Sequence, residues 1–152
     1  ATTFLRGDGA YAAAGGGKVL QVVTFTVTTQ ETTSSNSFTA TALLKAITPS
    51  ATSSKILILA SGVIATSGNA TNTLVTLYRD STNLGHSTKG MASNYDAGGG
   101  GTSNFGINFL DSPSSTSATT YRIYFAAASG AHTQKIFQDG ATGSITLMEI
   151  GA

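Results

Sequence analysis

The sequence has little charge, no cysteine and no long apolar run, and each shortage excludes something. With no cysteine among its 152 residues, the chain can form neither disulfides nor thiolate metal sites. Its apolar runs are short: Ile56 to Ala60, for example, is far shorter than the roughly 20 residues of a membrane span. The eight lysines and arginines are scattered between Arg6 and Lys135, and the net charge is +1. Nucleic acid would require a clustered cationic face, so we expect no nucleic-acid partner.

Hydroxyl side chains fill the place that charged residues leave. Charged residues make up only 10% of the chain, against roughly 25% in an ordinary soluble domain. The sequence instead contains 25 threonines and 18 serines. Threonine loses rotamer freedom in helices and fits strands, which favours a β protein. The low charge indicates either a surface coated with hydroxyls or, as we favour, a surface partly buried against copies of the same chain.

Alternation of apolar and polar residues predicts β-strands along most of the chain. Val23, Phe25 and Val27 alternate with threonines, which is typical of a half-buried strand. The segment 55–65 is apolar on both faces and predicts a central strand that is covered on both sides. Further strands are predicted within 38–45, 74–79, 84–91, 105–109, 121–125, 132–138 and 144–150.

Turn signals separate these strands and set the expected architecture. Asp80 to Asn83 and Asp139-Gly140 are typical of tight turns, and residues 31–36 form a polar turn region. About nine short strands without a convincing helix predict an all-β, antiparallel β-sandwich or jelly roll spanning residues 18–152. Residues 1–17 are rich in glycine and alanine, and we interpret them as a flexible linker or stalk remnant.

None of the short motifs supports catalysis or a cofactor. Arg6-Gly7-Asp8 matches an integrin-recognition tripeptide, but three residues recur often by chance. Gly7 to Ala12 fits a loose dinucleotide-binding pattern but lacks the preceding strand and the following helix. His86 and His132 could join Asp96 or Asp111 at a metal, yet their spacing does not indicate one. The acids are spread singly, without the pairing typical of glycosidases. We therefore expect no enzyme activity, no metal and no cofactor.

One loop combines the residue types that bind sugars. Asn94, Tyr95 and Asp96 precede a run of four glycines, and Asn104 follows it. An aromatic ring face next to amide and acid groups suits a sugar, whose ring has apolar faces and hydroxyl edges. These four residues are the predicted receptor contact.

Several segments of the chain, taken together and in order, carry a resemblance. Leu5 to Gly9, followed by Tyr11, resembles the LRGDG-(T/S)-W segment that precedes the C-terminal domain of phage tail fibres, with tyrosine in place of tryptophan. Further matches follow along the whole chain, at residues 17–23, 47–50 with 53–57, 110–113 with 120–121, and 144–150. Together these segments resemble the distal domains of bacteriophage tail or head fibres, especially those of marine and other environmental phages.

The resemblance implies a fold, an assembly and a role. Such domains look like trimeric jelly rolls of the complement-head or tumour-necrosis-factor type. The chain is then expected to be the homotrimeric tip of an extracellular virion fibre. It would join other fibre, tail or capsid proteins through its N-terminal side. It would bind a host glycan or outer-membrane protein by multivalent, non-catalytic contact. The alternatives are a capsid-decorating fibre or spike, a carbohydrate-binding module and a depolymerase.

Overall fold

The computed structural model describes residues 3–5, 7, 11–13, 18–68, 71–95, 100–130 and 132–151. These residues form thirteen β-strands and a 3₁₀ turn at Gln138–Gly140. The strands are β1 (Thr3–Leu5), β2 (Tyr11–Ala13), β3 (Val19–Val27), β4 (Glu31–Thr33), β5 (Thr39–Ile47), β6 (Lys55–Thr66), β7 (Thr73–Arg79), β8 (Thr82–Asn83), β9 (Ala92–Ser93), β10 (Thr102–Asp111), β11 (Thr119–Ala127), β12 (Gln134–Ile136) and β13 (Gly143–Ile150).

Sheet one is built around β6. Strand β10 pairs along one side of β6, from Thr102 opposite Ala65 to Asp111 opposite Ile56. Strands β13 and β12 share the other side of β6, and β3 and β4 pair with them in turn. Every pairing is antiparallel. The prediction that residues 55–65 form a central strand is confirmed, whereas the expected cover on its second face, where Leu57 and Leu59 are only half-buried, stays a prediction.

Sheet two has the strand order β5, β11, β7. The short strands β8 and β9 both pair with the remaining side of β7. The two sheets enclose one hydrophobic core, to which β6 contributes Ile58, β7 contributes Leu77, β11 contributes Ile123 and β13 contributes Leu147. All four side chains are fully buried. Because strand residues alternate between faces, each sheet has its other face outside the core. The predicted all-β, antiparallel sandwich of jelly-roll type is confirmed.

Two local predictions were wrong. Residues 31–36, predicted as a polar turn, include β4, which pairs with β12 although its side chains are polar. Residues 84–91, predicted as a strand, form a loop that His86 and Gly90 close through reciprocal backbone hydrogen bonds of 3.3 and 2.9 Å. With β4, β8 and β9, sheets one and two contain eleven strands in the described ranges, where about nine were expected.

The segment 1–17, predicted as a linker, contains two short paired strands. Thr3 lies opposite Ala13, and Leu5 lies opposite Tyr11. Local pairing of this kind is compatible with a connector, and the domain boundary at residue 17 stays a prediction. The remaining residues of this segment lie outside the described ranges, apart from Gly7.

Candidate functional site

Asn94, the first residue of the predicted receptor contact, has a side chain that is occupied within the fold. Its Oδ1 accepts a hydrogen bond from the backbone N–H of Thr73 at 3.0 Å, and its Nδ2 donates to the carbonyl of Gly101 at 3.5 Å. Asn94 therefore links the start of β7 to the residues that precede β10. Because its polar atoms already have partners, its role here is to position the loop.

The other predicted contact residues do not gather in one cavity with Asn94. Tyr95 is 66% exposed and presents its ring to solvent. Asp96 lies outside the described residues. Asn104 lines a separate hollow of about 250 Å³ on the outer face of sheet one, together with Ser61 and Thr142. The receptor-binding role of these four residues stays a prediction.

A larger cleft, of about 380 Å³, lies between β10 and the loop 84–91. Its lining comes from two distant parts of the chain, which explains why the sequence pattern did not indicate it. The available signals were the glycines of both parts, which leave room for a ligand to approach the backbone. The residues that line the cleft are Leu84, Gly85, His86, Gly90, Met91, Gly106, Ile107, Asn108 and Phe109.

The outer face of sheet one carries an apolar row that crosses all of its principal strands. Val22 of β3 lies opposite Met148 of β13, Met148 lies opposite Leu57 of β6, and Leu57 lies opposite Leu110 of β10. Directly opposed residues of antiparallel strands point to the same face. Val22 is 53% exposed and Leu110 is 52% exposed. We call these four residues the apolar row.

On one side of the apolar row the outer face is largely polar and uncharged, whereas Lys55, opposite Ile150, lies on its other side. The next register row on the same face is Thr24, Thr146, Leu59 and Asn108, and the one after it is Thr26, Ser144, Ser61 and Gly106. Hydroxyls hydrogen-bond to one another across the strands, at 3.1 Å for Thr24 with Thr146 and 3.1 Å for Ser61 with Ser144. These twelve positions of the outer face contain no charged side chain.

Two buried carboxylates are held in structural networks. Asp111 accepts hydrogen bonds from Arg79 at 2.9 Å and from the hydroxyl of Tyr121 at 2.7 Å. Glu149 is 1% exposed and is bound by Ser50 and Gln21. Neither carboxylate has a second carboxylate among its bonding partners, and no group of three His, Cys, Asp or Glu side chains that could hold a metal occurs in the described part of the chain. The expectation that the chain is not an enzyme stays a prediction.

Both histidines take part in local hydrogen bonds of the sandwich. The Nδ1 atom of His86 is occupied by the loop's own backbone, because Thr88 N–H and Lys89 N–H both donate to it at 3.2 Å. The carbonyl of His132 accepts a hydrogen bond from Gln134 at 3.1 Å, next to β12.

In the ranges that the structure covers, no helix has the length and apolar character needed to cross a membrane.

Comparison with solved structures finds distant structural likenesses. No protein-family model matches the chain, and no curated protein matches it in sequence. The fold is similar to that of a chain in the structure of infectious bursal disease virus, Gx strain, with a TM-score of 0.44 and 12% sequence identity. The likeness covers 93% of this chain and 43% of that chain.

Proposed function

We propose that this chain is a homotrimeric head domain of a bacteriophage fibre, which attaches the virion to the host surface by multivalent binding without chemistry. The observation that carries the proposal is the apolar row on the outer face of sheet one. Exposed apolar residues that stand singly need no explanation, but a continuous row across four strands is typical of a protein interface.

The composition of this face favours a second and third copy of the chain as the occupant. A surface that contacts its own copies must not present a patch of one charge, because like charges would then face each other. The apolar row satisfies this condition, since none of its four side chains is charged. The low overall charge of the chain agrees with such burial.

The position of the row also suits a fibre. The N–H of Gly151 donates to the carbonyl of Lys18 at 3.0 Å, so the residue before β3 lies beside the residue after β13. Val22 of β3 lies four residues after Lys18, and Met148 of β13 lies three residues before Gly151. Copies that are joined through the segment before residue 18 would therefore have their apolar rows close together.

The assembly is tested by light scattering of the purified chain after gel filtration. The expected mass is three times that of one chain, and Val22→Lys and Leu110→Lys are each expected to yield monomers. Both positions are more than half exposed in the single chain, so the variants should still fold. The matched control is Ala46→Lys, at an exposed position of β5 in sheet two, and it should remain trimeric. A monomeric wild-type chain would contradict the proposed trimer.

Attachment is tested by binding of the labelled chain to candidate host cells. Linking three weak sites raises the apparent affinity by about 10²- to 10⁴-fold. The wild-type chain and Ala46→Lys should therefore bind cells, while the monomeric Val22→Lys should bind at least about 100-fold more weakly. Equal binding by trimer and monomer, or no binding by either, would count against attachment by a multivalent head.

A further inference from the structure

The cleft between β10 and the loop 84–91 has the size and form of a small-molecule site. Its volume of about 380 Å³ falls within the range of roughly 300 to 1,000 Å³ that is usual for ligand pockets. It lies where the edge of sheet one faces the β8 to β9 connection of sheet two. In the described ranges β10 pairs only with β6, so its other edge is open to the cleft.

The floor of the cleft is apolar and firmly held. Ile107 is 3% exposed and belongs to the hydrophobic core, against which Phe109, Leu84 and Met91 pack. Met91 N–H donates to the carbonyl of Val75 at 2.7 Å, which ties the end of the loop to β7. A floor built on the core keeps its shape, so a ligand need not order it on binding.

The rim of the cleft supplies a few polar groups. Nδ1 of His86 accepts two backbone N–H groups, so the ring proton belongs on Nε2, which is left as a donor for a ligand. Asn108 stands on the outward side of β10, and its amide can both donate and accept. Gly90 has φ 69°, and a Cβ atom there would collide with the backbone carbonyl of Val75. The loop therefore needs glycine at this position.

We propose that this cleft binds one neutral pyranose unit of a host surface glycan. The lining contains no Asp, Glu, Lys or Arg side chain, which favours an uncharged ligand. The apolar C–H face of a sugar ring would lie on the partly buried ring of Phe109. His86 Nε2–H and the Asn108 amide would bind its hydroxyl oxygens, as polar groups do in ligand pockets. The biological role of this site rests on the proposed function, because binding through three such sites in one trimer would raise the apparent affinity of a weak single-sugar site.

Saturation-transfer NMR with free monosaccharides tests the cleft directly. The probes are glucose, galactose, mannose and their N-acetylated amino-sugar counterparts, each added to the purified full chain. At least one should receive saturation from the wild-type protein. Asn108→Ala should weaken its binding by about tenfold, the usual effect of removing hydrogen bonds to a ligand. Gly106→Val should weaken it as well, because the added side chain narrows the mouth of the cleft.

Matched variants separate a loss of binding from a loss of fold. Asn104→Ala changes the same residue type on the same outward face of β10, but Asn104 lines the other hollow. It should leave monosaccharide binding unchanged. A Cβ atom at Gly106 would have no neighbour within 4 Å, so Gly106→Val should unfold at a temperature no lower than that of the wild type. Equal weakening by Asn104→Ala and Asn108→Ala would overturn the assignment to this cleft.

The outcome for the cleft can be told apart from the outcome for attachment. If no monosaccharide binds the wild-type chain, or if Asn108→Ala binds host cells as strongly as the wild type, the sugar site is overturned even though the trimer attaches. If a monosaccharide binds in an Asn108-dependent manner while no host cell is bound, the sugar site is supported and attachment is overturned.

Discussion

Ser50 donates two hydrogen bonds to a single carboxylate oxygen of Glu149, one from its backbone N–H at 2.7 Å and one from its hydroxyl at 2.6 Å. The two residues are 99 positions apart in the sequence. The second carboxylate oxygen accepts from Nε2 of Gln21 at 2.6 Å. The loop before β6 is thus tied to β13 and β3 through one buried acid.

This network predicts acid sensitivity that depends on Glu149. Burial by itself would raise the pKa of the carboxyl group, but the hydrogen bonds from Ser50 and Gln21 outweigh it and lower the pKa to about 2. Because the folded-state pKa is below the ordinary value of 4.5, the stabilisation is present above pH 4.5. It is lost as the pH falls from there towards 2.

Glu149→Gln should therefore lower the free energy of unfolding at neutral pH by roughly 1–3 kcal/mol. It should also flatten the loss of stability between pH 4.5 and 2. Urea unfolding at a series of pH values measures both effects. Glu31→Gln is the matched control, since Glu31 accepts one backbone hydrogen bond at a more exposed position. A pH profile of Glu149→Gln that follows the wild-type profile would show that this carboxylate is not the group responsible.

A second network predicts a stabilising role for the hydroxyl of Tyr121. This hydroxyl is buried, and it donates to Asp111, which also accepts from Arg79. Tyr121→Phe should cost about 1–2 kcal/mol in unfolding free energy, because a buried acceptor loses one partner. Tyr124→Phe, on the outer face of sheet two, should change stability by less than about 0.5 kcal/mol. Equal effects of the two substitutions would show that the buried hydroxyl contributes nothing.

The same network predicts how Tyr121 titrates. Burial, together with the neighbouring Asp111 carboxylate, raises the pKa of Tyr121 well above its ordinary value of 10. The folded state thus keeps the phenol protonated, and stability is lost as the pH rises beyond that value. Ultraviolet titration of the wild type against Tyr121→Phe should show one phenol that ionises only when the chain unfolds. Ionisation of all five tyrosines before unfolding would contradict this.

Gly143 is expected to be required because of the ring of Phe137. Phe137 is fully buried, has φ 56°, and lies where the chain turns from β12 towards β13. A Cβ atom on Gly143 would overlap this ring. Gly143→Ala should destabilise the fold by about 1–3 kcal/mol through overpacking. Gly106→Ala, where the Cβ would meet open space, should be neutral or slightly stabilising. Thermal unfolding of the two variants measures the difference, and similar unfolding temperatures would refute the steric explanation.

Sequence reasoning succeeded where a pattern is local. Strand β3 shows its alternation within nine residues, and the continuous apolar run of β6 indicated a central strand before any partner was known. It failed at β4, because Glu31, Thr32 and Thr33 are polar at an edge, where pairing with β12 decides the conformation. It failed again at residues 84–91, where the bridge between His86 and Gly90 replaces a strand.

The two surfaces of greatest interest could not be predicted, because both depend on contacts between distant residues. The apolar row joins Val22, Leu57, Leu110 and Met148, and only the register of three strand pairs brings them together. The cleft joins residues 84–91 to residues 106–109 in the same way. The predicted contact loop was a local inference from composition, which does not show that the side chain of Asn94 is occupied by Thr73 and Gly101.

Asn94 and Tyr95 are therefore expected to respond differently to substitution, although they are neighbours. Asn94→Ala would leave the N–H of Thr73, a residue with no exposed surface, without its acceptor. It should cost about 1–2 kcal/mol of unfolding free energy. Tyr95→Ala removes a ring that is 66% exposed and should change stability by less than about 0.5 kcal/mol. If the loop contacts the receptor, Tyr95→Ala alone should weaken host-cell binding while the trimer stays folded. Unchanged cell binding by Tyr95→Ala, together with weakened binding by Asn108→Ala, would assign the receptor contact to the cleft and not to this loop.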